Sequence, residues 1–275
     1  MNRWLTAALL LLLAWGGSLS LAQSPVSVRA SGLGSRTVTF VMGNVQFVLL
    51  HELAHLLIGE FEVPVFGPEE TAADYIAATV LLQDRVNDRA GGQRALDYLL
   101  AAADAFVISW QEVQARGLVM RYWDAHALNI QRFYQVACLI YGSDPEKFSD
   151  LPDRTGLPRD RARNCPAEYR RADRSVRWLL DTYGRGPADP PGQPVKVVYE
   201  KPRTVVAVQL TEEIRGLRML ENAADRMTRV FALPRKVTIL MRNCGQSESA
   251  WVSERQELVI CYELLDTFYR LSDAQ

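Results

Sequence analysis

The chain has 275 residues, 31 Lys and Arg against 32 Asp and Glu, and a formal net charge of −1. So even a balance argues against a nucleic-acid partner, which would favour a basic stripe. The richest basic stretch, Arg154 to Arg177, is interrupted by Asp160, Glu168 and Asp173 and reads as a solvated helical face.

The N-terminus reads as a secretory signal over residues 1–22. Arg3 supplies the positive start, Leu5 to Trp15 the apolar stretch, and Ser20-Leu21-Ala22 a small-x-small cleavage site that predicts a mature start at Gln23. The apolar run is short for a membrane span, which needs about 20 residues. The expectation is an exported protein, periplasmic or secreted, with no stable membrane insertion after cleavage. The remaining chain of about 250 residues is enough for one large domain or two lobes. Its pattern sets no oligomeric state.

Gln23 to Ser35 is polar. Thr37 to Met42 is β-rich and predicts a strand, Gly43-Asn44 punctuates, and Asn44 is placed to cap a helix over 45–60. That helix carries His51-Glu-Leu-Ala-His55, an H-E-x-x-H motif. Positions i and i+4 share a helix face, so His51 and His55 can hold one zinc ion. Glu52, one residue on from the first ligand, can take the proton of a zinc-activated water. Two histidines and an acid on an apolar helix would otherwise each need a buried partner.

A hydrolytic zinc site usually takes three protein ligands. Pro64 and Gly67-Pro68 make a turn, and Pro68 suits the start of a second helix over 68–87. Glu70 and Asp74 share a face of it. Folded back, that helix presents Glu70 as third ligand, and Asp74 can accept the other ring N–H of a ligand histidine. Glu69 reads as a helix-dipole residue only.

Ala90-Gly-Gly92 breaks the pattern. Arg94 to Arg116 and Trp123 to Tyr141 read as helices, Pro152 to Pro158 as a loop, and Ala167 to Tyr183 as a further helix. The span 23–183 is thus a helical half carrying the motif. Residues 184–194, GRGPADPPGQP, form a linker by composition. After it, 195–275 read as an α/β half. Val195 to Tyr199 and Thr204 to Leu210 are expected as strands and Glu212 to Phe231 as a helix. Val237 to Met241 and Leu258 to Cys261 are strands joined by a loop that holds Trp251, and a last helix follows. The fold class is α+β: a mainly helical, zincin-like metallopeptidase core. The second half completes a sheet begun by Thr37 to Met42, whose edge can hold extended substrate by β-augmentation.

Four cysteines follow the signal: Cys138, Cys165, Cys244 and Cys261. An even count in an exported chain suggests two disulfides with three possible connectivities. Cys138–Cys165 and Cys244–Cys261 are favoured because each pair lies within its own half. No C-x-x-C spacing points to cysteine as a zinc ligand.

H-E-x-x-H followed by E-x-x-x-D on a second helix resembles the gluzincin metallopeptidases. More closely, HELAHLLIGEFEVPVFGPEETAAD is similar to the metallopeptidases of the DUF4344 family, as are HALNIQRFYQVACLIYGSDPEKF, CPAEY and the CG…CYELL pattern. The resemblance spans most of the mature chain and implies a reaction class without a substrate. It also bears on His126, which is either a cap or hydrogen-bonded residue or a catalytic donor to the oxyanion of the tetrahedral intermediate. Arg132 and Tyr134 could serve as that donor too. Tyr262 and Glu263 match the family pattern without an assigned role. Where the family often has Asn-Ala-aromatic, this chain has Ser249-Ala250-Trp251.

The leading expectation is an exported zinc metallopeptidase acting on a peptide or protein, with His51, His55 and Glu70 on zinc and Glu52 as base. The competing one is an exported binding or assembly module in which zinc is structural or absent. A third keeps the chemistry on another amide, such as a cell-wall peptide.

Overall fold

The structure is a computed structural model that describes residues 33–87, 92–186, 188–190 and 192–274. The expected signal, the polar lead before Leu33 and the break at Ala90-Gly91 lie outside the described residues. The fold is α+β and mainly helical, with a small mixed four-stranded sheet.

Its axis is helix α1, Ser35–Glu60, and here the structure corrects the expected strand at Thr37 to Met42. Phe40 through Val45 are buried without a gap. A helix buried on every side and a central strand both give an uninterrupted apolar run, so the pattern alone cannot separate them. Packing decides. Gly43 is no break; it is where α1 meets helix α3, Gly92–Ala115, so closely that a Cβ would lie 2.7 Å from the Tyr98 Cα. Asn44 is no cap either: its side-chain N–H groups donate to the carbonyls of Phe40, at 2.9 Å, and Ala101, at 3.1 Å. Helix α1 is long and apolar enough to cross a membrane, yet 78% of its most apolar stretch is buried inside the protein. It is a core helix.

Against it pack α2 (Glu69–Asn87) and α3, and on these pack α4 (Asn129–Ser143) and α7 (Cys165–Tyr183), with the short α5 (Leu151–Thr155) and α6 (Arg159–Ala162) beside α4. The loop expected at Pro152 to Pro158 therefore includes most of α5. The helix expected from Trp123 starts only at Asn129, leaving 116–128 as a long connection.

The second half supplies β1 (Val195–Tyr199), α8 (Val205–Gly216), α9 (Met219–Val230), β2 (Val237–Arg242), β3 (Ser249–Val252), β4 (Glu257–Cys261) and α10 (Tyr262–Ser272). The expected strand at Thr204 to Leu210 is instead the start of α8. The Thr204 hydroxyl accepts from the Ala207 N–H at 3.0 Å, and Ala207, Leu210, Thr211 and Ile214 are buried at helical spacing while Val205 is exposed. The single helix expected from Glu212 is broken at Arg218, whose φ is +51°. Trp251, expected in a loop, lies on β3.

The sheet order is β1-β2-β4-β3, with β1, β2 and β4 parallel and β3 antiparallel to β4. Among the described residues every strand comes from the second half, so that half supplies the whole sheet and completes nothing begun by the first. The two halves share one core: Leu49, Leu53 and Leu57 of α1 belong to the same apolar cluster as Ile214, Ile239 and Ile260. Disulfides Cys138–Cys165 and Cys244–Cys261 both form. The first ties α4 to α7; the second ties the loop after β2 to the end of β4.

Candidate metal centre

Helical periodicity places His51 and His55 on one face of α1, and the 61–68 turn folds α2 back across that face. Glu62 and Gly67 take positive φ in the turn, at 49° and 94°. The result is a convergence of three atoms. His51 Nε2 lies 3.0 Å from Glu70 Oε2, His55 Nε2 lies 3.2 Å from the same oxygen, and the two Nε2 atoms are 3.1 Å apart.

Each histidine is anchored through its other nitrogen. His51 Nδ1 is 2.9 Å from Asp74 Oδ1, and His55 Nδ1 is 2.6 Å from Glu69 Oε1. A carboxylate on Nδ1 favours the proton there, which leaves the Nε2 lone pair facing the convergence point. Asp74 is held in turn by Arg132, whose Nε and Nη2 donate to its two oxygens at 2.7 Å each; the guanidinium lies 4.1 Å from the Phe106 ring centre.

The acids give this pocket a field that favours positive charge. Burial pushes His51 and His55 down, but hydrogen bonds outweigh it: Asp74 and Glu70 raise His51, and Glu70 and Glu69 hold His55 at about 9. His126, His51 and His55 hold the Glu70 carboxyl far below the usual carboxylate range. Burial works against ionised Asp74, yet His51 and Arg132 keep its pKa low. Two imidazole nitrogens and an anionic oxygen converging in such a field suit a cation.

Glu52 is buried beside this cluster and is gripped from the second half of the chain. The Ser249 hydroxyl donates to Oε1 at 2.7 Å and the Trp251 backbone N–H donates to Oε2 at 2.9 Å. Strand β3 thus reaches the motif helix along its edge. His126 stands on the open side, half exposed, with Nε2 2.8 Å from Glu70 Oε2 and its backbone N–H on Asp124.

Several partners differ from the reading of the sequence. Arg132 lies behind Asp74 rather than at the mouth. Glu69 touches His55 as well as opening a helix. No local pattern marks Ser249 and the Trp251 N–H as partners of Glu52; the one signal is their place in the segment that resembles an Asn-Ala-aromatic pattern. Tyr262 donates its hydroxyl to the Glu200 carbonyl at 2.6 Å, and Glu263 accepts from the N–H groups of Cys244 and Gly245, at 3.1 and 2.8 Å. Glu263 braces the turn ahead of β3, and Tyr262 holds the segment that follows β1. The group of Cys244, Cys261 and Glu263 offers no sulfur ligand, because both sulfurs are in the disulfide. A cavity of about 470 Å³ lies between the halves but is lined by Leu50, Leu53, Ala54 and Leu57, on the side of α1 away from the histidines.

An H-E-x-x-H helix faced by an acid from a second helix defines a metallopeptidase-type site. The chain belongs to the DUF4344 family, described as "Putative metallopeptidase", whose model matches residues 24–180 and 199–275. The unmatched stretch between contains residues 184–194, expected from composition as a linker. No curated protein and no solved structure matches the chain.

Proposed function

We propose that the chain is an exported zinc metallopeptidase that hydrolyses peptide bonds of a peptide or protein. The carrying observation is the convergence of His51 Nε2, His55 Nε2 and Glu70 Oε2 at 3.0–3.2 Å from one another, with Glu52 fixed beside them. Atoms so spaced can all be reached from one point about 2.0–2.1 Å away, the distance zinc keeps to nitrogen and carboxylate oxygen. Zinc held there would polarise the scissile carbonyl and bring the pKa of water toward neutrality.

The protein's own groups do the rest. Asp74 and Glu69 hold the two imidazoles in the ligating tautomer. Glu52 takes a proton from the attacking water and returns it to the leaving amine nitrogen. Ser249 and Trp251 orient its carboxylate and leave each oxygen a free lone pair for that proton. A purely structural site would have no use for a fixed base at this position, which favours a hydrolase over a binding module. His126, beside Glu70 on the open side, would turn its Nε2–H from Glu70 to the oxygen that gains charge. The predicted signal and two disulfides support export, since disulfides persist in oxidising compartments.

Metal analysis of the mature protein, with Glu52→Gln alongside, tests this reading. About one zinc per chain is expected in both. Turnover of unfolded protein should fall by about 10²–10⁴-fold in Glu52→Gln. Persisting turnover in that variant would overturn the mechanism.

A further inference from the structure

Nine large apolar side chains stand exposed among the described residues, and five of them sit on just two loops. Phe66 is on 61–68; Leu118, Val119, Tyr122 and Trp123 are on 116–128. The other four are scattered over α2, α7 and α8. Phe66 is fully exposed, and Tyr122 and Trp123 are 78% and 76% exposed. Four of the five fall within 118–123, a grouping that singly scattered apolar residues do not show and that suits an interaction surface.

Loop 61–68 leads into Glu70 at the start of α2, and loop 116–128 carries His126. Phe66 precedes Glu70 by four residues and Trp123 precedes His126 by three. Chain geometry keeps the Trp123 Cα within about 11 Å of the His126 Cα, and the Phe66 Cα within about 14 Å of the Glu70 Cα. The residues they lead to are in contact, His126 Nε2 standing 2.8 Å from Glu70 Oε2. A polypeptide whose reacting bond sits at the cluster therefore comes within reach of both loops. Their charges offset each other: Arg116 and Arg121 stand against Glu62 and Asp124, and Arg121 is paired with Asp124 at 2.8 Å. An anionic membrane would instead call for a cluster of bases.

We propose that Phe66, Tyr122 and Trp123 form an apolar lip that captures aromatic and large aliphatic side chains of an extended polypeptide and lays its backbone over the metal centre. The substrate class is therefore unfolded or exposed apolar segments. This deepens the peptidase reading and rests on it.

The test is binding rather than turnover, made on full-length Glu52→Gln protein by fluorescence anisotropy. The probes are two end-labelled, uncharged decapeptides, one rich in Phe and Leu and one of Ser and Gly. The apolar peptide should bind on the order of tenfold tighter or more. Adding Phe66→Ser, Tyr122→Ser and Trp123→Ser should abolish that preference and leave helical circular dichroism and zinc content unchanged. In the active protein the same three changes should raise KM and spare kcat. The proposal is overturned if the peptides bind equally or if the triple variant keeps the preference. It is also overturned if the three residues serve to hold phosphatidylcholine–phosphatidylglycerol vesicles or a second copy of the chain. Because Glu52→Gln binding needs no turnover, a protein that never cleaves but prefers the apolar peptide loses the peptidase reading and keeps the lip. One that cleaves without the preference does the reverse.

Discussion

The two halves of the chain enter the candidate site in different ways. Residues 33–183 bring side chains that converge: two imidazoles, three acids and the arginine behind them, all on helices or at helix ends. Residues 195–274 bring the edge of a strand, one hydroxyl and one backbone N–H, both spent on Glu52. The helical half can bind a cation; the α/β half aims Glu52, the base of the proposed reaction. Such a division predicts that damage to the first removes metal and damage to the second leaves metal in place but weakens chemistry.

The largest effect expected is from His55→Ala or Glu70→Ala. Each should lose zinc by elemental analysis and lose peptide hydrolysis with it; zinc retained by Glu70→Ala would shift the third ligand to Glu69. Next is the support behind His51. Asp74→Asn or Arg132→Ala should weaken zinc affinity by about 10–100-fold, measured by chelator competition. Arg132→Lys should recover only part, because a lysine lacks the planar fork that spans both Asp74 oxygens. Unchanged affinity in all three would show that His51 needs no anchor.

The other side of the comparison is tested by Ser249→Ala. It should keep full zinc and lower kcat by roughly tenfold, the worth of about 1.4 kcal/mol. A loss of zinc here would erase the distinction between the halves. The smallest effect is expected at Glu263, which braces the turn that leads to β3. Burial pushes its carboxyl up, but the N–H groups of Cys244 and Gly245 outweigh this and lower it from 4.5. A depressed folded-state pKa adds stability above the unfolded value and loses it as pH falls through the folded one. Thermal unfolding of Glu263→Gln should thus lie slightly below wild type at pH 7, and the gap should close as pH drops below 4.5. A gap that persists in acid would assign it to lost packing.

How far the site could be read in advance follows from range along the chain. His51 and His55 are one helical turn apart, as are Glu70 and Asp74, and Glu70 is only a short turn away from His55. Those relations are set by local periodicity and a Pro-Gly-Pro turn. Arg132 lies 58 residues from Asp74 and Ser249 lies 197 from Glu52. No local pattern carries contacts at that separation. The exposed aromatics of 116–128 were hidden for a related reason: Trp123 looked like the start of an apolar helix, and only the absence of a neighbour above it makes it surface.

The sequence by itself determined that His51 and His55 share one face of a helix and that Glu70 and Asp74 share a face of the next, because spacing on a helix fixes which side chains lie together. Tertiary structure alone decided that Thr37 to Met42 and Thr204 to Leu210 are helical. An apolar run records only that a segment is buried. What surrounds it, such as α3 pressed against Gly43, decides whether the backbone satisfies its hydrogen bonds within a helix or across a sheet.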